Sequence, residues 1–219
     1  MAKPTIYYFN IRGRAEVMKL ALEYAKVAYE IGLVDYQTMK ADKEHYPFGQ
    51  CPRYTDDQVD LVQSNTILRY IARKYNLDGK TDVEKAIVDM AMEGVESLRG
   101  KYVALIYQDQ LAEPAKEAFA KAHIHKDSTA GRNGGAHLDY LDWFLRKSGT
   151  GHVAGTSITM GDLCVWEMLD LLLRVFPDII KAEYPALAKF HADISEAPGI
   201  KEYLASDRRL AQVNNNNLG

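Results

Sequence analysis

Cysteine is scarce in this 219-residue chain: Cys51 and Cys164 are its two thiols, and no CxxC pair occurs. Two isolated thiols suit a reducing compartment. No run of eighteen apolar residues is present, which excludes a long apolar membrane-spanning helix. The opening MAKPTIYYFN has no apolar core of the kind a secretion signal carries, so a cytoplasmic protein is expected. Phosphate-cradling loops are missing in both common forms, GxxxxGK(S/T) and GxGxxG, and no nucleotide cofactor is indicated. An excess of one charge is missing too. Lys and Arg number 27 against 30 Asp and Glu, and a net charge of −3 argues against nucleic acid or an anionic membrane as partner. The six histidines are scattered. His123 and His125 would point about 200° apart on a helix, so they do not chelate one metal, and both are expected on the solvated surface.

What the chain does have is apolar residue, 47% of the total, enough for a sizeable core. The first third mixes strand and helix signals. Thr5–Asn10 is β-branched and aromatic, a strand; Ile11-Arg12-Gly13 is a turn. Arg14–Ala25 carries Val17, Met18, Ala21, Leu22 and Ala25 at helical spacing. Ala28–Val34 reads as a second strand, and Thr38–Tyr46 as loop with a short helical turn. Arg53–Thr55 and Val59–Val62 flank Asp56-Asp57 as a tight hairpin, and Ser64 opens a helix to Tyr75. This order predicts a small α/β domain with a mixed sheet over residues 1–76. Asn76–Thr81 is the expected boundary.

From residue 82 to residue 213 the pattern predicts an all-helical domain. Asp82–Gln110 is one long amphipathic helix. Glu113–Lys147 is helical with an interruption at Arg132-Asn133-Gly134-Gly135. Thr159-Met160-Gly161-Asp162 is a capping box before the apolar run Leu163–Phe176, with Asp replacing the usual Glu or Gln. The asparagine-rich tail, 214–219, is expected to be disordered.

Four features carry chemistry when taken together. Tyr8 ends a strand and is followed by Arg12-Gly13-Arg14 at a helix N-terminus, a position suited to anions. Gln50-Cys51-Pro52-Arg53 puts a proline ahead of a short strand, which invites a turn and a cis bond and exposes the backbone of Cys51 to a peptide-like ligand. Gln63-Ser64-Asn65 joins a strand to a helix, with Ser64 suited to be the N-cap. Glu96 and Ser97 sit midway along the long helix, near Arg99 and Lys101. Each is ordinary alone: aromatics pack, serines cap, charges face water.

Their order and spacing are specific. YYFNIRGRAEVMKLAL, PFGQCPRY, DLVQSNTILRYIARKYNL and IVDMAMEGVESLRGKYVALIY together resemble the cytosolic glutathione transferases, most of all the pi and sigma classes. The likeness continues more loosely through ITMGDLCVWEMLDLLL to about Ala205. It implies a thioredoxin-like first domain, an all-helical second domain holding the acceptor-substrate pocket, and a homodimer. It implies glutathione as co-substrate, no tightly bound cofactor or metal, and conjugation to small hydrophobic electrophiles, including detoxification. It also implies roles. Tyr8 donates a hydrogen bond to the glutathione sulfur, and Arg14 supports that site. Lys43 and Gln50 hold the glycyl carboxylate, the backbone of Cys51 pairs with the cysteinyl unit ahead of cis Pro52, and Gln63 and Ser64 grip the γ-glutamyl end. Phe9, Ile11 and Tyr107 wall the acceptor pocket.

Two positions depart from the family's pattern. Met39 stands where a tryptophan is usual and offers no N–H donor. Ser97 stands where an aspartate usually reaches the γ-glutamyl amine across the dimer; Glu96, its neighbour, carries the charge but points about 100° away. A glutathione-dependent isomerase of the prostaglandin type, a non-catalytic binding or structural relative, and a redox role for the Cys51 thiol are the competing readings. Cys164, in an apolar helical run, is expected in the core.

Overall fold

A computed structural model describes residues 3–128 and 134–219. The chain divides into two compact units, Met1–Leu77 with Ala197–Asn215, and Asp78–Glu196 with Asn216–Gly219. In the first, β1 (Thr5–Tyr8) leads through a short 3-10 turn (Gly13–Ala15) into α1 (Glu16–Tyr24). Then come β2 (Glu30–Leu33), α2 (Tyr36–Ala41), β3 (Arg53–Thr55), β4 (Asp60–Val62) and α3 (Ser64–Lys74). The sheet order is β2-β1-β3-β4, with β1 parallel to β2 and the other neighbours antiparallel. β1 alternates as a half-buried strand should: Ile6 and Tyr8 go into the core while Thr5 and Tyr7 stay half-buried. α1 and α3 pack on one another. They bring Met18, Leu20, Leu22, Ile67 and Ile71 into full burial with Tyr54 of β3.

The β3–β4 hairpin is tied to α3 through one carboxylate. Asp56 Oδ1 accepts the amides of Gln58 (2.9 Å) and Val59 (3.1 Å); Oδ2 accepts the Tyr70 hydroxyl (2.8 Å) and Lys74 Nζ (2.7 Å). Burial alone would raise the Asp56 pKa, but the Lys74 ammonium and the other donors outweigh it and bring it down to about 2.

The second unit is helical throughout its described elements. α4 (Asp82–Tyr107) is followed by α5 (Glu113–His123), α6 (Leu138–Ser148), α7 (Met160–Val175), α8 (Pro177–Glu183) and α9 (Pro185–Ser195). Of the expected interruption, Arg132 and Asn133 lie outside the described residues. α7 is buried on nearly all sides and packs most extensively on α4. A buried ion pair joins the two: Arg99 Nη1 donates to Glu167 Oε1 at 3.3 Å, with a shorter contact from Nη2 to Oε2. Trp166 Nε1 donates to His191 O and Ser195 Oγ, each at 3.0 Å, linking α7 to α9. The capping box forms as expected. Asp162, wholly buried, takes Thr159 N (2.8 Å), Thr159 Oγ1 (2.6 Å) and Val153 N (2.7 Å). Cys164 is in the core. The expectation of solvated histidines at 123 and 125 is corrected. Both are half-buried, His123 Nδ1 against Ala136 O (2.5 Å) and His125 Nδ1 against Glu183 Oε1 (2.6 Å). Among the described residues no group of side chains could hold a metal.

The C-terminal segment differs from the expected division. Residues 197–215, including α10 (Ile200–Leu204), group with the first unit. The physical reason is a buried carboxylate on α1. Glu16 is 1% exposed, and it accepts the Tyr203 hydroxyl (2.9 Å) and Arg209 Nε (3.0 Å). The tail also differs from the disorder expected of its composition. Asn214 is buried, Asn216 Nδ2 donates to Ile106 O (2.8 Å), and Gly219 O accepts Arg174 Nε (2.7 Å).

Asp56 gives the fold an acid-sensitive element. Its pKa is lower folded than unfolded, so its contribution is complete above the unfolded value near 4 and fades as pH falls through about 2. Between pH 5 and pH 2 the wild type should lose on the order of 1–2 kcal/mol more stability than Asp56→Asn. Parallel denaturant melts check this; identical pH slopes would refute it.

Candidate active site

Tyr8 closes β1, and its carbonyl accepts Val34 N at 3.0 Å, which fixes the strand end. The ring is 7% exposed and lies against Phe9, ring centroids 5.5 Å apart. The chain then turns sharply, with Ile11 N returning to Phe9 O at 2.7 Å. Arg14 N donates to the Tyr8 hydroxyl at 3.0 Å. An oxygen that accepts an amide proton is polarised to donate its own more strongly. The turn passes close over the ring, because a β-carbon on Gly13 would stand 2.6 Å from Tyr8 Oη, and Gly13 has φ +41°. Only glycine meets both demands without strain.

This helix start was expected to suit an anion by its position, but its first amides are already taken within the chain. Arg12 N and Gly13 N donate to Gln212 O and Val213 O, both at 3.0 Å, and Arg14 N is taken by Tyr8. Arg12 Nε also donates to Leu210 O at 2.5 Å. These long-range bonds hold the turn in place rather than receiving a ligand.

A second group of residues lies at the start of α3 and in the loop before β3. Arg14 Nη1 reaches Ser64 Oγ at 3.3 Å, so the turn after β1 and the start of α3 meet. Ser64 is the first residue of α3 and not its cap. Gln63 occupies the cap position at φ 73°, ψ 113°, with no side-chain capping bond. A non-glycine residue at that φ carries strain of order 1–3 kcal/mol and is held by its surroundings. The exposed Gln63 and Gln50 side chains face each other, Nε2 to Oε1, at 3.4 Å. The Cys51–Pro52 peptide is cis. The Cys51 thiol is half-buried, and burial pushes its pKa up to about 11, against smaller opposing effects from backbone N–H groups and the Lys40 charge. It is protonated at neutral pH, which removes the nucleophile that the redox reading needs.

The structure thus brings Tyr8, Phe9, Arg14, Gln50, Gln63 and Ser64 into linked contacts. Ile11 is buried, at 6% exposure. Lys43 is exposed and makes no hydrogen bond or ion pair with the others. Lys40, which no sequence pattern singles out, stands beside the loop instead, its Nζ 3.6 Å from where a β-carbon on Gly49 would be. Met39 is buried at 3% exposure and serves the core.

A model of the glutathione S-transferase N-terminal domain matches residues 4–73, and one of the C-terminal domain matches residues 96–207. The chain is 34% identical over 197 residues to a glutathione S-transferase P of Caenorhabditis elegans, covering 90% of this chain and 89% of that one. It is 32% identical over 198 residues to a glutathione S-transferase of Dirofilaria immitis, covering 90% of each. The solved pi-class glutathione S-transferase of Onchocerca volvulus superposes with a TM-score of 0.83 at 30% identity, over 100% of both chains. The chain belongs to the glutathione S-transferase family.

The second unit of this family member carries the remaining expected residues. Glu96 is half-buried and 3.6 Å from Arg99 Nε. Ser97 is exposed, its hydroxyl returned to Glu93 O at 3.3 Å. Tyr107 ends α4 at 43% exposure.

The Gly13 geometry makes a direct test. Gly13→Ala should lower stability by about 1–3 kcal/mol, from the positive φ and the displaced Tyr8 ring together. Equilibrium unfolding in urea measures it. An unchanged midpoint would mean that the ring is not held against this turn.

Proposed function

We propose that this protein conjugates glutathione to small hydrophobic electrophiles, with the Tyr8 hydroxyl donating a hydrogen bond to the glutathione sulfur. The observation that carries this reading is the buried Tyr8 hydroxyl, polarised by Arg14 N–H at 3.0 Å. A thiol of ordinary pKa, ~8.5, is only a few per cent thiolate at pH 7. Lowering it by ~2 units needs about 2.7 kcal/mol of preferential thiolate stabilisation. A hydrogen bond to an anion supplies roughly 1.5–3 kcal/mol, and the Arg14 guanidinium adds a positive charge near that end of the site. The thiolate forms a carbon–sulfur bond at the electrophilic centre, and the leaving group departs with the electron pair.

The remaining roles follow the resemblance. Gln63, Ser64 and the first amides of α3 receive the γ-glutamyl carboxylate. The backbone of Cys51, ahead of Pro52, pairs with the cysteinyl unit. Gln50 meets the glycyl carboxylate, and Lys43 reaches it by moving its exposed side chain. Phe9, Ile11 and Tyr107 are assigned to the acceptor site. The retained Tyr8, Arg14, Gln63 and Ser64 favour catalysis over a purely structural role.

Tyr8→Phe should lower kcat/KM for chlorodinitrobenzene by about 10- to 100-fold, the kinetic equivalent of one such hydrogen bond. Equal initial rates in the two proteins would show that another group activates the thiol.

The same reading carries a cytoplasmic homodimer. Val83, Ala86, Met90, Ser97 and Gly100 recur at helical spacing along the exposed face of α4, with Val83 69% and Met90 46% exposed. Such a face offers apolar area for a second copy and puts Ser97 on it. Sedimentation at micromolar concentration should give twice the mass of the 24.7 kDa chain; a monomer would refute the pairing.

A further inference from the structure

The loop between α6 and α7, residues 149–159, ends on the capping box that starts α7 and has no part in the proposed conjugation. Hydrogen bonds on either side of His152 set its path. Ser148 Oγ donates to His152 O at 2.5 Å, and His152 N donates to Thr150 Oγ1 at 3.3 Å. Val153 N donates to Asp162 Oδ1 at 2.7 Å, which brings His152 next to that carboxylate.

Asp162 is wholly buried, so its charge needs directed donors. Oδ2 takes two, Thr159 N at 2.8 Å and Thr159 Oγ1 at 2.6 Å. Oδ1 takes Val153 N alone, although a carboxylate oxygen has room for two donors. His152 Nδ1 stands 3.7 Å from that Oδ1. It is buried and makes no hydrogen bond among the described residues. The separation is too long for a hydrogen bond and short enough for an ion pair, and a movement of about 1 Å would close it. Charge decides whether it closes. A neutral imidazole is drawn only weakly to the carboxylate, whereas an imidazolium carries a proton on each nitrogen and a full positive charge. The side chain is 24% exposed, which lets the ring exchange protons with water.

We propose that His152 is a pH-operated latch: protonated, its ring closes on Asp162 Oδ1 and ties the loop to the first turn of α7; neutral, it releases that tie. The charges around the ring agree. Asp162 of α7 has the largest effect and raises the His152 pKa above the ordinary histidine value; burial opposes it, and Asp193 of α9 adds to it through space. Asp193 is exposed and shares its charge with Lys189 Nζ at 2.5 Å, so Asp162 dominates. Glu84 of α4 lies against Gly155 in the same loop and accepts Lys80 N at 2.6 Å. At the end of α6, Arg146 is held by Asp139 (3.3 Å) and Asp142 (2.8 Å), and Lys147 is exposed. The folded pKa lies above the unfolded value of about 6.5. The latch therefore contributes fully below that value, and its contribution is lost as pH rises through the folded pKa.

Two measurements on the full chain test this. The first is an NMR titration of the histidine rings, with the His152 signals assigned by their loss in His152→Phe or His152→Gln. The ring of His152 should titrate above the ordinary histidine value. The second is urea unfolding of wild type, His152→Phe and His152→Gln at pH 6 and pH 8.5. Phenylalanine keeps a ring without a charge, and glutamine keeps a donor without a charge. The folding constant of the wild type relative to either variant should fall about threefold between the two pH values. The other histidines are present in all three proteins, so their titration cancels in that ratio. If one variant fails to fold, the other and the wild-type titration still decide. A His152 ring that titrates at or below the ordinary value, or a ratio that does not change with pH, overturns the proposal.

Discussion

The Tyr8 hydroxyl occupies space that any side chain at position 13 would enter. That exclusion governs the first unit's site. It demands glycine at a positive φ, it brings Arg14 N–H onto the phenol oxygen, and it aims the Arg14 guanidinium across to Ser64. A strand, a tight turn and a helix must therefore agree to within a few tenths of an ångström. Local propensity cannot supply that precision, since a turn alone is among the softest parts of a fold. It comes from the far end of the chain, where the carbonyls of Leu210, Gln212 and Val213 clamp Arg12 and Gly13. The clamp is itself anchored by Tyr203 and Arg209 on the buried Glu16 carboxylate. Residues almost two hundred positions apart thus set one hydroxyl.

The same logic appears in the other buried charges. Glu16, Asp56, Asp162 and the Arg99–Glu167 pair each take charge out of water and offset the penalty through two or more directed hydrogen bonds. Each also joins segments that are distant in sequence or fixes a helix start, so these groups specify which packing forms as well as how stable it is.

Much of this was legible in the sequence where the signal is local. The β-branched and aromatic run from Thr5, the spacing of Val17, Met18, Ala21 and Leu22, the hairpin around Asp56-Asp57 and the Thr159–Asp162 box are encoded within a few residues, and each formed, the first strand stopping at Tyr8 rather than Asn10. The mixed sheet followed from the order of these elements. The proposed site rests on a combination, since no member of the set Tyr8, Gln50, Gln63 and Ser64 is distinctive alone. What stayed hidden depends on partners remote in sequence. No local pattern shows that the amides of Arg12 and Gly13 are taken by residues 212 and 213, or that Gln63 adopts φ 73° and displaces Ser64 from the cap. Nor could composition show that the asparagine tail finds carbonyls and donors on α4 and α7. Lys40 escaped notice for the same reason, because its approach to Gly49 is a matter of where the α2 helix points.

Two thiols meet opposite demands in the proposed reaction. The ligand thiol must ionise near neutral pH, whereas Cys51, close by on the loop that pairs with it, must not compete as a nucleophile. Burial settles the second demand: a pKa of about 11 leaves roughly one part in ten thousand of Cys51 as thiolate at pH 7. In the proposed reaction a directed hydroxyl meets the first, since a hydrogen bond stabilises only the sulfur that it touches. The selectivity between the two sulfurs is thus geometric. In the proposed complex both sit in one small domain, and they differ in that one takes the phenol's hydrogen bond while burial keeps the other protonated. A diffuse positive potential would have activated both, so a short-range donor fixed by the Gly13 turn is the arrangement that separates them.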